Sequence, residues 1–184
     1  MRILAIDPGS RFLGWAHMVD EKVLMVNTLK LPEVKKNDSK DMYLMLDYFM
    51  KMQMDGIIIP ETTRMVIPVY VIIETFFAQN FRGANVIPEV RALIKLSAYK
   101  ANVNIVEVSP PQVKKYITGK GNADKNMVRN IILKKYAAHG NVIVNDSLDH
   151  NATDAIAIGL TGLNKIRHMV DETYGITGSV TNET

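Results

Sequence analysis

The first thirty residues alternate short apolar runs with turn residues at a spacing that suits strands. Arg2-Ile3-Leu4-Ala5-Ile6 runs into Asp7-Pro8-Gly9-Ser10, where proline and glycine turn the backbone, so Asp7 is placed at a strand end. Phe12 to Val19 and Lys22 to Leu29 predict two more strands, joined by the polar pair Asp20-Glu21, which makes an antiparallel three-strand meander. The period then changes. Between Ser39 and Met54 the apolar positions Met42, Met45, Leu46, Phe49 and Met50 recur at helical spacing, with Ser39 or Asp41 as the cap and the methionines as adaptable core filler.

Val69-Tyr70-Val71-Ile72-Ile73 is β-branched and continuous, which predicts a strand covered on both faces and ending at Glu74. A helix from about Asn85 to Lys100 leads to a strand over Asn104 to Val108. Ser109-Pro110-Pro111 opens another helix with proline in its first turn, and Gly119-Lys120-Gly121-Asn122 breaks it. Two more helices are expected, one over Asp124 to Ala138 and one starting at Asp149 or His150 and running toward Met169. Strands grouped first and then alternating with helices predict an α/β architecture, a mixed sheet of about five strands whose first three are antiparallel. Residues 1–170 are expected to form one domain and 171–184 a tail, small and polar from Gly175 onward.

A length of 184 residues suits a single domain. Hydrophobic residues at 47% and charged residues at 22% exclude a disordered chain, a collagen and a disulfide scaffold. No apolar run approaches the roughly 18 residues of a membrane span. Met1 to Asp7 leads into a strand and turn rather than a secretory leader, so the expected location is cytoplasmic. The absence of cysteine removes thiol nucleophiles, disulfides and thiolate metal sites, and leaves oxygen ligands and four histidines for any metal. The formal charge of +3 is modest, but from Ser109 to Tyr136 the residues Lys114, Lys115, Lys120, Lys125, Arg129, Lys134 and Lys135 face Asp124 alone. Such a block attracts phosphate-rich polymers in a salt-sensitive way, or forms a solvated helix face.

Three acids occupy comparable places: Asp7 and Glu74 at strand ends, and Asp154 on the final helix. Taken singly they read as a turn former, a surface carboxylate and an early-helix acid favoured by the helix dipole. Together they would make an oxygen cage for Mg²⁺. Asn151, three residues before Asp154, shares its helix face and offers a neutral carbonyl oxygen. His150 is an auxiliary candidate, while Asp146 and Asp149 read as loop or capping residues.

Four ordered motifs resemble those of RuvC-type Holliday-junction resolvases, within the ribonuclease H-like nuclease superfamily. They are Asp7-Pro8-Gly9-Ser10 with Gly14; Val71-Ile72-Ile73-Glu74 followed by Phe76-Phe77-Ala78-Gln79-Asn80; Gln112-Val113-Lys114 with Gly119 to Lys125; and Asn151-Ala152-Thr153-Asp154-Ala155. They span about Met1 to Lys165, with Lys30 to Arg64 divergent. The resemblance implies a ribonuclease H-like fold, a homodimer, and phosphodiester hydrolysis in four-way DNA junctions dependent on Mg²⁺ or Mn²⁺, two ions per site. It implies Asp7, Glu74 and Asp154 as metal ligands, with Asn151 at the fourth position, where the family usually has Asp and sometimes His. Lys114 and Lys125 match basic positions of the family, and Lys125 joins the catalytic set. Phe77 matches an aromatic that could wedge against an unstacked base. Arg11, Lys115 and Lys120 are broader candidates for phosphate contact.

The chemistry agrees with this resemblance. Phosphodiester hydrolysis needs a nucleophilic water and stabilised charge on the phosphate and on the leaving oxygen, which two cations about 4 Å apart can supply. Asn151 also supports a branched-DNA-binding protein with impaired cutting. A nuclease of the YqgF type acting on RNA is a third reading. A nucleotide-binding actin-like fold, suggested by the Asp-Pro-Gly-Ser turn, normally needs a second lobe that this length does not accommodate.

Overall fold

The computed structural model of the chain describes residues 1–34, 38–59, 64–75, 86–137 and 148–175. The opening meander is present as β1 (Arg2–Asp7), β2 (Phe12–Val19) and β3 (Lys22–Lys30). Next come α1 (Lys40–Asp55), β4 (Ile57–Ile59), β5 (Arg64–Val66), β6 (Tyr70–Glu74), α2 (Val86–Lys100) and β7 (Asn104–Val108). The chain closes with α3 (Pro110–Thr118), α4 (Lys125–Ala137) and α5 (His150–Tyr174). The main sheet has five strands in the order β3-β2-β1-β6-β7. β1 runs antiparallel to β2 and β2 to β3, whereas β1, β6 and β7 are parallel. The carboxyl ends of β1, β6 and β7 therefore lie side by side, which is where open α/β sheets place their sites.

Strand alternation sorts the core into two layers. Ile3, Ala5, Ala16, Met18, Ile72, Val106 and Val108 face α3, α4 and α5. Leu4, Ile6, Leu13, Trp15, Val71 and Ile73 face α1 and α2. The continuous apolar runs of β1 and β6 exist because both faces are covered. By the same period-two rule Asp7 follows Ile3 and Ala5, and Glu74 follows Ile72, onto the α5 face.

Local signals account for most boundaries. α3 begins with a capping box, in which the Ser109 side chain accepts from the Gln112 N–H and the Gln112 side chain accepts from the Ser109 N–H. It ends at Gly119, whose φ of 78° is left-handed and suits a residue without a Cβ. Three features differ from the sequence expectation. Ser39 precedes α1 but makes no side-chain capping bond; its hydroxyl is instead 3.4 Å from Glu89 on α2, which also accepts from Tyr43. β4 and β5 form a separate antiparallel pair, and three-residue strands are too short to show a period. α5 runs to Tyr174, past Met169 and through four residues expected to be tail, before it ends at Gly175. Among the described residues no helix is long and apolar enough to cross a membrane.

Candidate active site

Three elements bring the acids together. Asp7 ends β1 and Glu74 ends β6, on neighbouring parallel strands and the same face. Asp154 lies in the second turn of α5, which crosses that face. The helix can lie this close because Gly14, paired with Asp7, has no side chain: a Cβ there would fall 2.0 Å from the carbonyl oxygen of Asn151. Asp149 caps α5, its Oδ1 accepting from the Ala152 N–H at 2.8 Å and from the Thr28 hydroxyl at 2.7 Å.

The electrostatics identify one cluster. Burial, then the charges of Asp154 and Glu74, push the Asp7 carboxyl up to about 7, against a pull from Lys125. Burial and Asp154 push Glu74 up to about 7 as well, opposed by Lys125, Arg91 and Lys114. Burial also raises Asp154, which Lys125 opposes. Half-buried carboxyls that repel one another at a strand end are costly without a cation.

Lys125, at the start of α4, places Nζ 3.6 Å from Asp154 Oδ2. A cavity of ≈ 190 Å³ opens beside this pair, lined by Glu74, Pro110, Val113, Lys114, Lys125, Val128, Asp154 and Ile158. Lys114 and Lys125 thus stand at the acids. Lys115, one residue on, turns instead to a larger groove of ≈ 560 Å³ between α3 and α5, with Gln112, Tyr116 and Lys165. Lys120 is exposed in the turn after α3, and Arg11 is exposed and paired with Glu33 at 3.1 Å. Phe77 lies outside the described residues. Asn151 is half-buried in the first turn of α5, against Gly14.

Two participants were not singled out by sequence reasoning. Arg91 on α2 is buried, bonds Glu107 through Nη2 at 2.7 Å, and counters the rise at Glu74. Its signal was a lone arginine on the apolar face shared with Val90 and Ile94. Thr28 anchors Asp149 from β3; an exposed-strand threonine carries no comparable signal.

The donor set suits a hard divalent cation: three carboxylates whose mutual repulsion such an ion relieves, and no sulfur. Among the described residues no three carboxyl or imidazole groups are grouped tightly enough to hold one ion. A divalent cation held here would complete its shell with water and phosphate oxygens.

The chain is similar to known proteins in family profile, in sequence and in fold. A family profile described as Crossover junction endodeoxyribonuclease RuvC matches residues 3–162. A protein of that name from Helicobacter hepaticus is 32% identical over 172 residues, 91% of this chain and 85% of the relative. One from Campylobacter hominis is 32% identical over 167 residues, 91% of this chain and 98% of the relative. Among solved structures, Thermus thermophilus RuvC in complex with Holliday junction substrate superposes with a TM-score of 0.69 at 22% identity, covering 92% of this chain and 96% of that one. Fowlpox virus Holliday junction resolvase gives 0.52 at 15% identity, covering 90% and 99%. At such identities these structures speak for the fold, here the ribonuclease H-like one. The profile match across most of the chain, joined to the two relatives, decides the matter: this chain belongs to the RuvC family of crossover junction endodeoxyribonucleases.

Proposed function

We propose that this chain is a structure-selective DNA endonuclease that resolves four-way or related branched junctions by phosphodiester hydrolysis. In this reading it works in the cytoplasm as a homodimer with Mg²⁺ or Mn²⁺, two ions per active site. The observation that carries the reading is the convergence of Asp7, Glu74 and Asp154 on one sheet face, with Lys114 and Lys125 at the adjoining cavity.

When bound, the cations supply a reactive water and neutralise charge on the phosphate and the leaving oxygen. The remaining work belongs to the chain. Asp7, which feels the charges of both Glu74 and Asp154, would be the ligand common to the ions. Glu74 would serve one of them, and Asp154 with the Asn151 amide oxygen the other. Lys125 balances Asp154 when no metal is present and swings to the phosphate when DNA arrives, as its exposed side chain permits. Lys114 approaches the same phosphate from α3. Lys120 and Arg11 contact more distant backbone, positioning the substrate without reading its sequence. The dimer reading is supported by apolar side chains exposed on α1 and α2, among them Leu44, Met45, Tyr48, Leu96 and Tyr99.

A second reading, a protein that holds branched DNA without cutting, is motivated by the neutral Asn151. Cleavage of a labelled four-way junction with Mg²⁺ and with Mn²⁺, comparing the chain with Asn151→Asp, separates the two. Cutting by the unchanged chain is expected. Cutting by Asn151→Asp alone supports the binding reading, and no cutting by either overturns the nuclease. Competition among branched DNA, linear duplex and structured RNA tests selectivity, and equal affinity for all three argues against a junction substrate.

A further inference from the structure

Helix α3 presents two different faces. Pro110, Val113 and Lys114 line the cavity beside the acids, whereas Gln112, Lys115 and Tyr116 line the groove of ≈ 560 Å³ against α5. The acids lie on the other side of α3, so the groove has no part in holding cations. Its floor is apolar: Val108 is buried, and buried Thr161 spends its hydroxyl on the Ala157 carbonyl at 2.8 Å. Tyr116 and Met169 stand at its walls with apolar surface exposed. Lys165 is fixed there by a bond from Nζ to the Glu107 carbonyl at 2.9 Å, which leaves its charge without a counter-ion. Among the described residues Lys115, Lys165 and Glu172 form no ion pair.

We propose that this groove docks a short acidic segment of a partner protein, one in which carboxylates flank an apolar or aromatic side chain. The carboxylates meet Lys115 and Lys165, and the apolar side chain packs between Tyr116 and Met169 over Val108. Along α5 the groove extends from Thr161 to Glu172, roughly 16 Å by the helix rise. That span takes about five residues of extended peptide. A sugar-phosphate backbone fits less well, because it brings a charge at every step, has no group for the apolar floor and meets Glu172 at one end. Recognition is by side chains: β7 is the edge strand of the sheet, but Lys165 already bonds one of its carbonyls, which disfavours a further strand there. The inference is independent of the nuclease reading.

The test is fluorescence anisotropy of the full chain with a labelled peptide, Asp-Asp-Phe-Leu-Asp, and two controls, one with serine in place of Phe-Leu and one with lysine in place of each Asp. Saturable binding of the first peptide below about 1 mM is expected, with both controls at least about 10-fold weaker. Lys115→Glu and Tyr116→Ala should each weaken it about 10-fold, whereas Lys120→Glu, the same charge change outside the groove, should stay within about twofold. Thermal unfolding midpoints near the parent show that the variants are folded, and the two substitutions probe the site separately. Absence of saturable binding overturns the inference. So does equal binding of the serine control, or equal loss in Lys120→Glu, since either means general attraction of negative charge. A five-nucleotide single strand that displaces the peptide and loses affinity in both groove variants also overturns it, in favour of a nucleic-acid site.

Discussion

Gly14 and Asn151 pack backbone against backbone, with a Cβ on Gly14 landing 2.0 Å from the Asn151 carbonyl oxygen. This contact sets the height of α5 above β1 and β2, and therefore the distance from Asp154 to Asp7. Gly14→Ala is expected to cost about 1–3 kcal/mol, as overpacking does, and to lift the start of the helix. Chemical denaturation measures the first effect. Junction cleavage at a temperature where the variant remains folded measures the second, and cleavage at the parental rate would mean that the helix height is not set here.

Asp7→Asn, Glu74→Gln and Asp154→Asn each remove an oxygen charge from the cluster. Cleavage is expected to fall roughly 100-fold or more, the scale seen when a charge-stabilising group is lost, while junction binding persists. Because the acids repel one another without metal, the same variants should unfold at higher temperature in chelator. Each kcal/mol relieved corresponds to about 2–4 °C at this chain length. Variants that lose cleavage only by losing their fold would show a lower midpoint instead.

The pH dependence has a definite sign. Asp7 and Glu74 titrate near 7 in the folded chain against ordinary values of 3.8 and 4.5, so the folded state holds these protons more tightly than the unfolded state. Their contribution to metal-free stability is therefore greatest at low pH and declines as pH rises through about 7. Glu21, Glu107 and Asp149 are shifted the opposite way, and their contribution is lost at more acidic pH. Unfolding midpoints in chelator should thus fall between about pH 6 and about pH 8, and added Mg²⁺ should flatten or reverse the slope by favouring the ionised acids. Cleavage should rise over the same interval. A chelator midpoint that climbs with pH would contradict the assignment.

Lys114 and Lys125 share a cavity with the acids, whereas Lys115 faces the other groove. Lys114→Ala and Lys125→Ala should each slow cleavage and reduce the salt slope of junction binding by about one unit. Lys115→Ala should leave cleavage near the parent. Equal effects at all three lysines would point to a general attraction rather than contact at the scissile phosphate.

Much of this molecule follows from local pattern. Strand alternation in β1 and β6, the proline-opened α3 with its glycine stop, and the lysine-rich segment are properties of neighbouring residues, and they were legible without coordinates. The motif order carried Asp7, Glu74 and Asp154. β4 and β5 were missed because three residues carry no period, and the extension of α5 to Tyr174 because weakly apolar residues such as Met169, Val170 and Tyr174 remain exposed on it.

The sequence by itself determined which residues could act: carboxylates at strand ends, no thiol, and lysines after β7. Tertiary structure decided which of them meet. Lys114 enters the acidic cavity while its neighbour Lys115 turns away, Arg91 comes to bear on Glu74, and Thr28 holds Asp149 across a separation of 121 residues. The physical reason is range: propensity and patterning act over a few residues, whereas electrostatic coupling depends on distance in space, which the sheet order and the glycine beneath α5 set.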